Sequence, residues 1–177
     1  MKHQLAWLAA LSAALSAGCG VGSTGPVPAG APASGLQAGS LSHDAHLYFV
    51  GPYGLQAVTR ELDASATPQE TLDLLLKGPD TAERARGLIT EVPRLHGRLT
   101  ARAADGAVDL YLPMPVSNMN GGGGLGLSQI ICTAANAEVP GGKPPPEVNV
   151  RVHEPGYSTI WIVRCNAAGN VVPVPNR

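Results

Sequence analysis

Three cysteines carry the most reactive side chains of this 177-residue chain, and one of them has an informative position. Cys19 follows a single cation, Lys2, an uncharged apolar run over residues 5–15, and three small residues. A cation, a short apolar run and small residues are the layout of a secretory signal peptide. The sequence therefore predicts a signal peptide over residues 1–18, with a thiol where a lipid would be attached.

The residues before Cys19 resemble the lipobox of bacterial lipoproteins, in which leucine usually stands three places before the cysteine. Here Ser16 holds that place and Leu15 lies one residue earlier. The apolar run of about 11 residues is too short to span a bilayer as a helix. A diacylglyceryl group would supply two chains, which hold a protein on a membrane stably. The resemblance implies lipidation of Cys19 on the extracytoplasmic face of the cell membrane, and the alternative is a secreted protein with a free or buried thiol.

The other two cysteines form an even pair once Cys19 is assigned to the lipid. A disulfide is the default for such a pair in an oxidising compartment. Cys132 lies at the edge of the apolar stripe of a predicted helix, and Cys165 shares one face of a predicted strand with Trp161 and Val163. A helix lying on that strand would bring the sulfurs together. We expect a structural Cys132–Cys165 disulfide, with a buried unpaired couple as the alternative.

A second group of side chains that could do chemistry is polar and rich in arginine. Arginine binds carboxylate or phosphate through two parallel hydrogen bonds, so the ligand would be an anionic wall polymer or a lipid headgroup. The favoured interpretation is a solvated face on which Arg102 pairs with Asp109, and the anionic ligand is the alternative. The side chains expected to project together, if two predicted hairpins are neighbours, are His96, Arg98, Arg102, Asn149, Arg151 and His153.

Glycines in the middle of the chain match the spacing of a dinucleotide fingerprint. Gly121, Gly123 and Gly126 precede a predicted helix, whose amides could face a phosphate. Because Pro113 and Pro115 separate them from the preceding strand, a flexible glycine loop is the favoured interpretation.

Metal and hydrolase chemistry have weaker support. His43, Asp44 and His46 could supply metal ligands, but three residues at the boundary of the tether are a weak signal, and a solvated start of a strand is the favoured interpretation. No Ser, His and acid spacing matches a hydrolase elbow. We expect no catalysis, no metal ion and no cofactor.

The elements that must position these side chains begin after a tether. Residues 20–42 carry no charge and are dominated by Gly, Ser, Ala and Pro, so they cannot bury enough apolar surface to order themselves. We therefore predict a lipidated tether over residues 19–44 and one domain over residues 45–177. The formal net charge of −1 gives no electrostatic reason to expect nucleic acid.

The predicted domain begins with a hairpin over residues 47–50 and 55–60. A helix follows, with Thr67 as its cap, Pro68 in its first position, Glu70 completing a capping box, and Gly78 with Pro79 as its stop.

A second predicted hairpin turns at Asp105 and Gly106, an Asp-Gly signal between alternating strands. Its register places Arg102 opposite Asp109. The final strands cover residues 148–152 and 159–165, and a second helix is predicted from the helical spacing of Leu127, Ile130, Ile131, Ala134 and Ala135. The prediction is an α+β fold in which two main helices pack on a mostly antiparallel sheet of about six strands.

These elements resemble the GerMN domain, named from a spore-germination and sporulation protein, over roughly residues 45–137. The C-terminal part, with Cys165 and a Val-Pro tail, is similar to the disulfide-bearing lipoproteins of actinobacteria. The residues that carry the GerMN resemblance are Tyr48, Phe49, Val50, Arg60, Leu75, Leu76, Lys77, Gly78, Pro79, Thr81, Glu83, Gly87, Leu88, Thr90, Val92, Pro93, Gln129, Ile130, Ile131 and Thr133.

The resemblance implies an extracytoplasmic module of envelope proteins with no established catalytic residues. We therefore expect a lipid-anchored, non-catalytic assembly or adaptor module, linked to sporulation or to another envelope process, that contacts the membrane through its lipid and binds an envelope protein or itself. The alternative is a ligand-binding lipoprotein that recognises an anionic polymer or headgroup through Arg98, Arg102 and Arg151.

Overall fold

The structure is a computed structural model that describes residues 43–119 and 124–175. The predicted signal peptide, Cys19, all but the last two tether residues, and Gly121 and Gly123 lie outside the described residues. The elements in chain order are β1 (His43–Gly51), β2 (Gly54–Leu62), α1 (Pro68–Leu76), α2 (Thr81–Ala85), β3 (Thr100–Ala104), β4 (Ala107–Tyr111), α3 (Gly124–Ala135), β5 (Asn149–His153), β6 (Trp161–Cys165) and β7 (Val171–Pro173), with 3₁₀ turns at Val116–Asn118 and Pro145–Glu147.

The strands form two sheets. The hairpin of β1 and β2 is one sheet, and the other has five strands in the order β3-β4-β5-β6-β7. Neighbouring strands are antiparallel except β4 and β5, which run parallel. The predicted α+β class with two main helices, α1 and α3, is confirmed. The strands described number seven rather than six, because the tail also pairs, as β7, with β6.

The first main helix begins and ends where its sequence predicts. The Thr67 hydroxyl accepts from the Glu70 amide at 3.3 Å, and the Glu70 carboxylate accepts from the Thr67 amide at 2.8 Å. This is a reciprocal capping box, which satisfies two amides that the helix cannot. The chain leaves the helix through Gly78 at φ 77°, a conformation that glycine adopts without strain.

The register of β3 and β4 is also as predicted, with Arg102 opposite Asp109 and Thr100 opposite Tyr111. The strand itself is shorter than the alternating pattern indicates, since it begins at Thr100 rather than near residue 95. Gly97, at φ 118°, breaks the extended backbone before the strand. His96 and Arg98 therefore lie in the preceding loop and not on the sheet.

The second main helix, α3, is the centre of the core. It packs against α1 and β1 on one side and against the five-stranded sheet on the other. Its buried residues are Gly126, Leu127, Gln129, Ile130, Ile131, Cys132, Thr133, Ala134 and Ala135. A side chain at Gly126 would lie 2.4 Å from the Glu91 carbonyl oxygen, so only glycine allows this approach.

The predicted disulfide links α3 to the sheet. Cys132 and Cys165 are bonded, with their Cα atoms 5.0 Å apart, and both residues are buried. Trp161, Val163 and Cys165 share the face of β6 that meets the helix, as predicted. No helix within the described ranges is long and apolar enough to cross a membrane.

Candidate functional site

The five-stranded sheet has one face covered by the helices and one face that no described element covers. Side chains alternate between the faces. On the covered face Val108, Leu110, Val150 and Val152 are fully buried. The other face is half-buried or exposed, and we call it the open sheet face. Its members are Thr100, Arg102, Asp109, Tyr111, Asn149, Arg151, His153, Ile162, Arg164 and Val172.

Asp109 lies on β4, between the strands that carry Arg102 and Arg151, and it organises this face. Its Oδ2 accepts from Arg151 Nη2 at 2.7 Å, and its Oδ1 lies 3.0 Å from His153 Nε2. The parallel register places Arg151 directly beside Asp109 and His153 one pleat further along β5. The three side chains are 22% (Asp109), 37% (Arg151) and 24% (His153) exposed, so water still reaches both contacts. One carboxylate thus holds two basic groups in a fixed arrangement.

Arg102 does not form the predicted pair with Asp109, although the two residues face each other across β3 and β4. Its guanidinium carbon lies 5.6 Å from the centre of the Tyr111 ring, and that ring stacks on His153 with centroids 4.3 Å apart. Both Asp109 oxygens are taken by β5, and the aromatic ring offers the guanidinium a cation–π contact instead.

The far side of the open sheet face is likewise internally bonded, since Arg164 Nε donates to Asn149 Oδ1 at 2.7 Å. With three arginines against one aspartate, and His153 neutral, the open sheet face has a formal charge of 3 − 1 = +2, whereas the whole chain has −1. The face is therefore locally basic while its side chains bond mainly to one another.

Arg98, the third predicted ligand residue, lies elsewhere. It lines a cavity of about 670 Å³ between α1 and the loop before β3, together with Arg94. Neither arginine has a hydrogen-bond or ion-pair partner among the described residues, and both are exposed. The cavity, which we call the α1 groove, is lined by Asp73, Leu76, Thr90, Val92, Pro93, Arg94, Leu95, Gly97, Arg98 and Leu99. The predicted ligand face thus divides between two surfaces.

A second arginine–carboxylate cluster lies inside the domain, and the sequence did not indicate its pairing. Glu83, whose side chain is 4% exposed, accepts from Arg60 Nε at 3.1 Å and Nη2 at 2.6 Å, and from the Asp80 amide at 2.7 Å. Arg60 also donates to the Gly78 carbonyl at 3.1 Å and lies over the Phe49 ring. This cluster joins β2 to the chain around α2, so its role is structural.

The sequence also did not indicate the role of two buried polar residues of α3, although both belong to the motif that resembles GerMN. Gln129 Nε2 donates to the Tyr48 carbonyl at 2.9 Å, and Thr133 Oγ1 accepts from the Tyr48 amide at 3.0 Å. They replace a neighbouring strand along the edge of β1. Burial raises the pKa of the Tyr48 hydroxyl, against a smaller lowering by its hydrogen bond to Asn136.

The residues considered as metal ligands have other partners. His43 Nδ1 lies 2.8 Å from Ser65 Oγ, and His46 Nδ1 lies 3.3 Å from Thr59 Oγ1. Over residues 43–119 and 124–175, no group of three or more metal-ligating side chains is present.

The chain matches no protein-family model, no curated protein and no solved structure. The GerMN resemblance therefore stays a prediction from the residues that carry it.

Proposed function

We propose that this protein is a non-catalytic adaptor of the bacterial envelope, anchored by a lipid on Cys19, that docks a protein partner on its open sheet face. The observation that carries the proposal is that face itself. Helices cover the opposite side of the same sheet, whereas no described element covers this one. A sheet face with aromatic and aliphatic side chains is a surface that a partner can bury.

The composition of the open sheet face suits a protein partner. Tyr111 and Val172 are each 37% exposed, and Ile160, which adjoins β6, is 47% exposed. Aromatic residues and arginine are enriched in protein interfaces. The mutual contacts of Tyr111, His153 and Arg102 also hold the side chains in place before binding, which lowers the entropy lost on docking. The charge of +2 favours a partner with an acidic surface.

Photo-crosslinking in intact cells tests this docking surface. A photoreactive amino acid at Tyr111 of the full chain should give a defined crosslinked product, and the same amino acid at exposed Lys77, beyond the end of α1, should not. Arg102→Glu combined with Arg164→Glu should remove the product, because the partner would then meet like charge. Arg86→Glu, outside the face, is the matched control. Equal products from both crosslinker positions would contradict the proposal.

The anchor is tested separately by metabolic labelling with a lipid analogue. The full chain should incorporate label, and Cys19→Ala should not. Label that persists in Cys19→Ala would place the lipid on another residue, and the absence of label from both would indicate a secreted protein.

A second function is favoured by the α1 groove. Two exposed arginines without partners among the described residues line one cavity whose wall includes Leu76, Leu95 and Leu99. This arrangement suits a ligand that carries carboxylate or phosphate beside an apolar part. The protein would then be a ligand-binding lipoprotein that recognises an anionic wall polymer or a lipid headgroup.

Binding of the full chain to purified cell-wall glycans, and to vesicles with and without anionic lipid, distinguishes the two ligand sources. Arg94→Ala combined with Arg98→Ala should abolish saturable binding, while Arg86→Ala should leave it unchanged. If the double variant binds both probes as the wild type does, the groove is not a ligand site.

A further inference from the structure

The outer strand edges of the two sheets differ in how many of their backbone groups have hydrogen-bond partners. An exposed strand edge presents unpaired amides and carbonyls that can pair with another strand, and proteins usually block it. The outer edge of β1 is blocked by α3, through the bonds of Gln129 and Thr133 to Tyr48. Val50 exchanges two backbone bonds of 2.9 Å with Ile89 on the same edge.

Both edges of the five-stranded sheet are short and are partly blocked. At β3, the Gln69 side chain accepts from the Ala101 amide at 2.8 Å and donates to the Leu99 carbonyl at 3.2 Å. At β7, the outward positions are Val171 and Pro173, and Pro173 has no amide proton to offer a neighbouring strand.

Among the described strands, the outer edge of β2 has the longest run of outward backbone groups without such a partner. Tyr48 faces Ala57 across the hairpin, and both backbone groups of Tyr48 point to α3. Tyr48 and Ala57 are therefore a non-hydrogen-bonded pair, and the amide and carbonyl of Ala57 point away from β1. By the two-residue period of a strand, the same holds for Leu55, Thr59 and Glu61.

No backbone or side-chain partner for these outward groups exists among the described residues. The side chains of Ala57 and Thr59 do not obstruct an approaching strand, because both are small and exposed, whereas Leu55 is half-buried and its carbonyl lies close to Gly169 of the turn between β6 and β7. The edge carries no proline and no lysine, and its two charged residues, Arg60 and Glu61, lie together near one end of the strand.

We infer that a second copy of this chain pairs with this edge, so that two β2 strands run antiparallel about a two-fold axis and the two hairpins form one four-stranded sheet. A two-fold pairing centred on Val58 overlaps the whole strand, with Gly54 opposite Leu62. Ala57 and Thr59 of each copy then exchange about four main-chain hydrogen bonds, two for each hydrogen-bonded pair, and pairing of Leu55 with Glu61 raises the number to at most about eight.

The side chains fit this register. Leu55 would lie opposite Glu61, Ala57 opposite Thr59, and Gln56 opposite Arg60, so no like charges meet. Registers centred on Arg60 or Glu61 would place like charges opposite each other. The same register brings Tyr53, which is 96% exposed, opposite Asp63 of the other copy, where its hydroxyl can donate to the carboxylate. The strand is thus complementary to itself.

A charge swap at the two small residues tests the pairing in the full chain, solubilised in detergent. Ala57→Lys combined with Thr59→Lys puts lysine opposite lysine twice. Ala57→Lys combined with Thr59→Glu puts lysine opposite glutamate twice. Sedimentation over a concentration series should show a wild-type dimer, self-association weakened about tenfold or more in the first variant, and restored association in the second.

The matched variants share their positions, so an unfolded hairpin would weaken both equally. A monomeric full chain overturns the inference, and so does equal behaviour of the two variants. A monomeric chain would be observed if a segment of the same chain or a strand of another protein occupies the outer edge of β2. Neither variant alters the open sheet face, so the crosslink from Tyr111 should persist in both, and the two proposals fail independently.

Discussion

The same pair of chemical groups, a guanidinium and a carboxylate, occurs in two regions of this molecule with different consequences. Around Glu83 the carboxylate is 4% exposed and accepts three hydrogen bonds, two from Arg60 of β2 and one from the amide of Asp80, the residue that caps α2. Around Asp109 the carboxylate is 22% exposed and its partner Arg151 is 37% exposed. Burial and the number of donors, not residue type, therefore separate a structural ion pair from one that belongs to a binding surface.

Glu83→Ala should show the largest effect, because it leaves the Arg60 guanidinium and the Asp80 amide without their acceptor. Removing one partner of a buried pair costs about 3–5 kcal/mol of the free energy of unfolding. Urea titration of the full chain, followed by circular dichroism, measures this loss. A loss below about 1 kcal/mol would mean that water replaces the carboxylate and that the two regions are alike.

Cys132→Ala combined with Cys165→Ala should come next. The cysteines are 33 residues apart, and the chain-entropy model gives about 3–4 kcal/mol for a loop of this size. Since the disulfide joins α3 to the sheet beneath the open face, its loss should lower the free energy of unfolding without removing the Arg151–Asp109 pair. Unchanged stability in the same urea titration would show that core packing alone fixes the helix on the sheet.

Asp109→Asn should have a small effect on folding, at most about 1 kcal/mol, because partly exposed ion pairs contribute little. The asparagine keeps the shape and one acceptor for Arg151. The same titration measures the loss, with Glu83→Gln as the matched amide change in the buried pair. If both variants lose the same stability, the comparison between the two regions fails.

The capping boxes should give the weakest signal, a decline of stability in acid. Backbone hydrogen bonds hold the pKa of Glu70 and of Asp80 below their ordinary values of 4.5 and 3.8. A depressed carboxyl pKa stabilises the folded state above the ordinary value and loses that contribution as the pH falls through the folded pKa. The urea concentration at the unfolding midpoint should therefore decrease as the pH falls below about 4.5. Thr67→Ala removes the side-chain cap of α1, so its midpoint should decrease less over the same pH range.

Local features of the sequence predicted much of the fold. The capping box at Thr67 and Glu70, the Asp105-Gly106 turn and the helical spacing of α3 each act within a few residues, so short-range rules suffice. The disulfide followed from placing one cysteine on a helix and the other on a strand that faces it.

Features that depend on residues far apart in the sequence could not be predicted in the same way. Nothing local indicates that β4 and β5 run parallel, that the first hairpin forms its own sheet, or that Gly97 ends the extended pattern and moves Arg98 to the α1 groove. The contact of Arg102 was predicted wrongly because Asp109 and the Tyr111 ring are both close to it. The side chains that occupy Asp109 instead, Arg151 and His153, come from a strand about 40 residues further along the chain.

The bonds between α3 and β1 have a consequence for the exchange of amide hydrogens with solvent. An amide on the edge of a two-stranded hairpin normally exchanges quickly, since it points to water. The Tyr48 amide points instead to Thr133, which is fully buried, so its exchange requires the helix to separate from the strand. The hairpin should thus be slow to exchange along β1 and fast along the outer edge of β2, unless a second strand protects that edge.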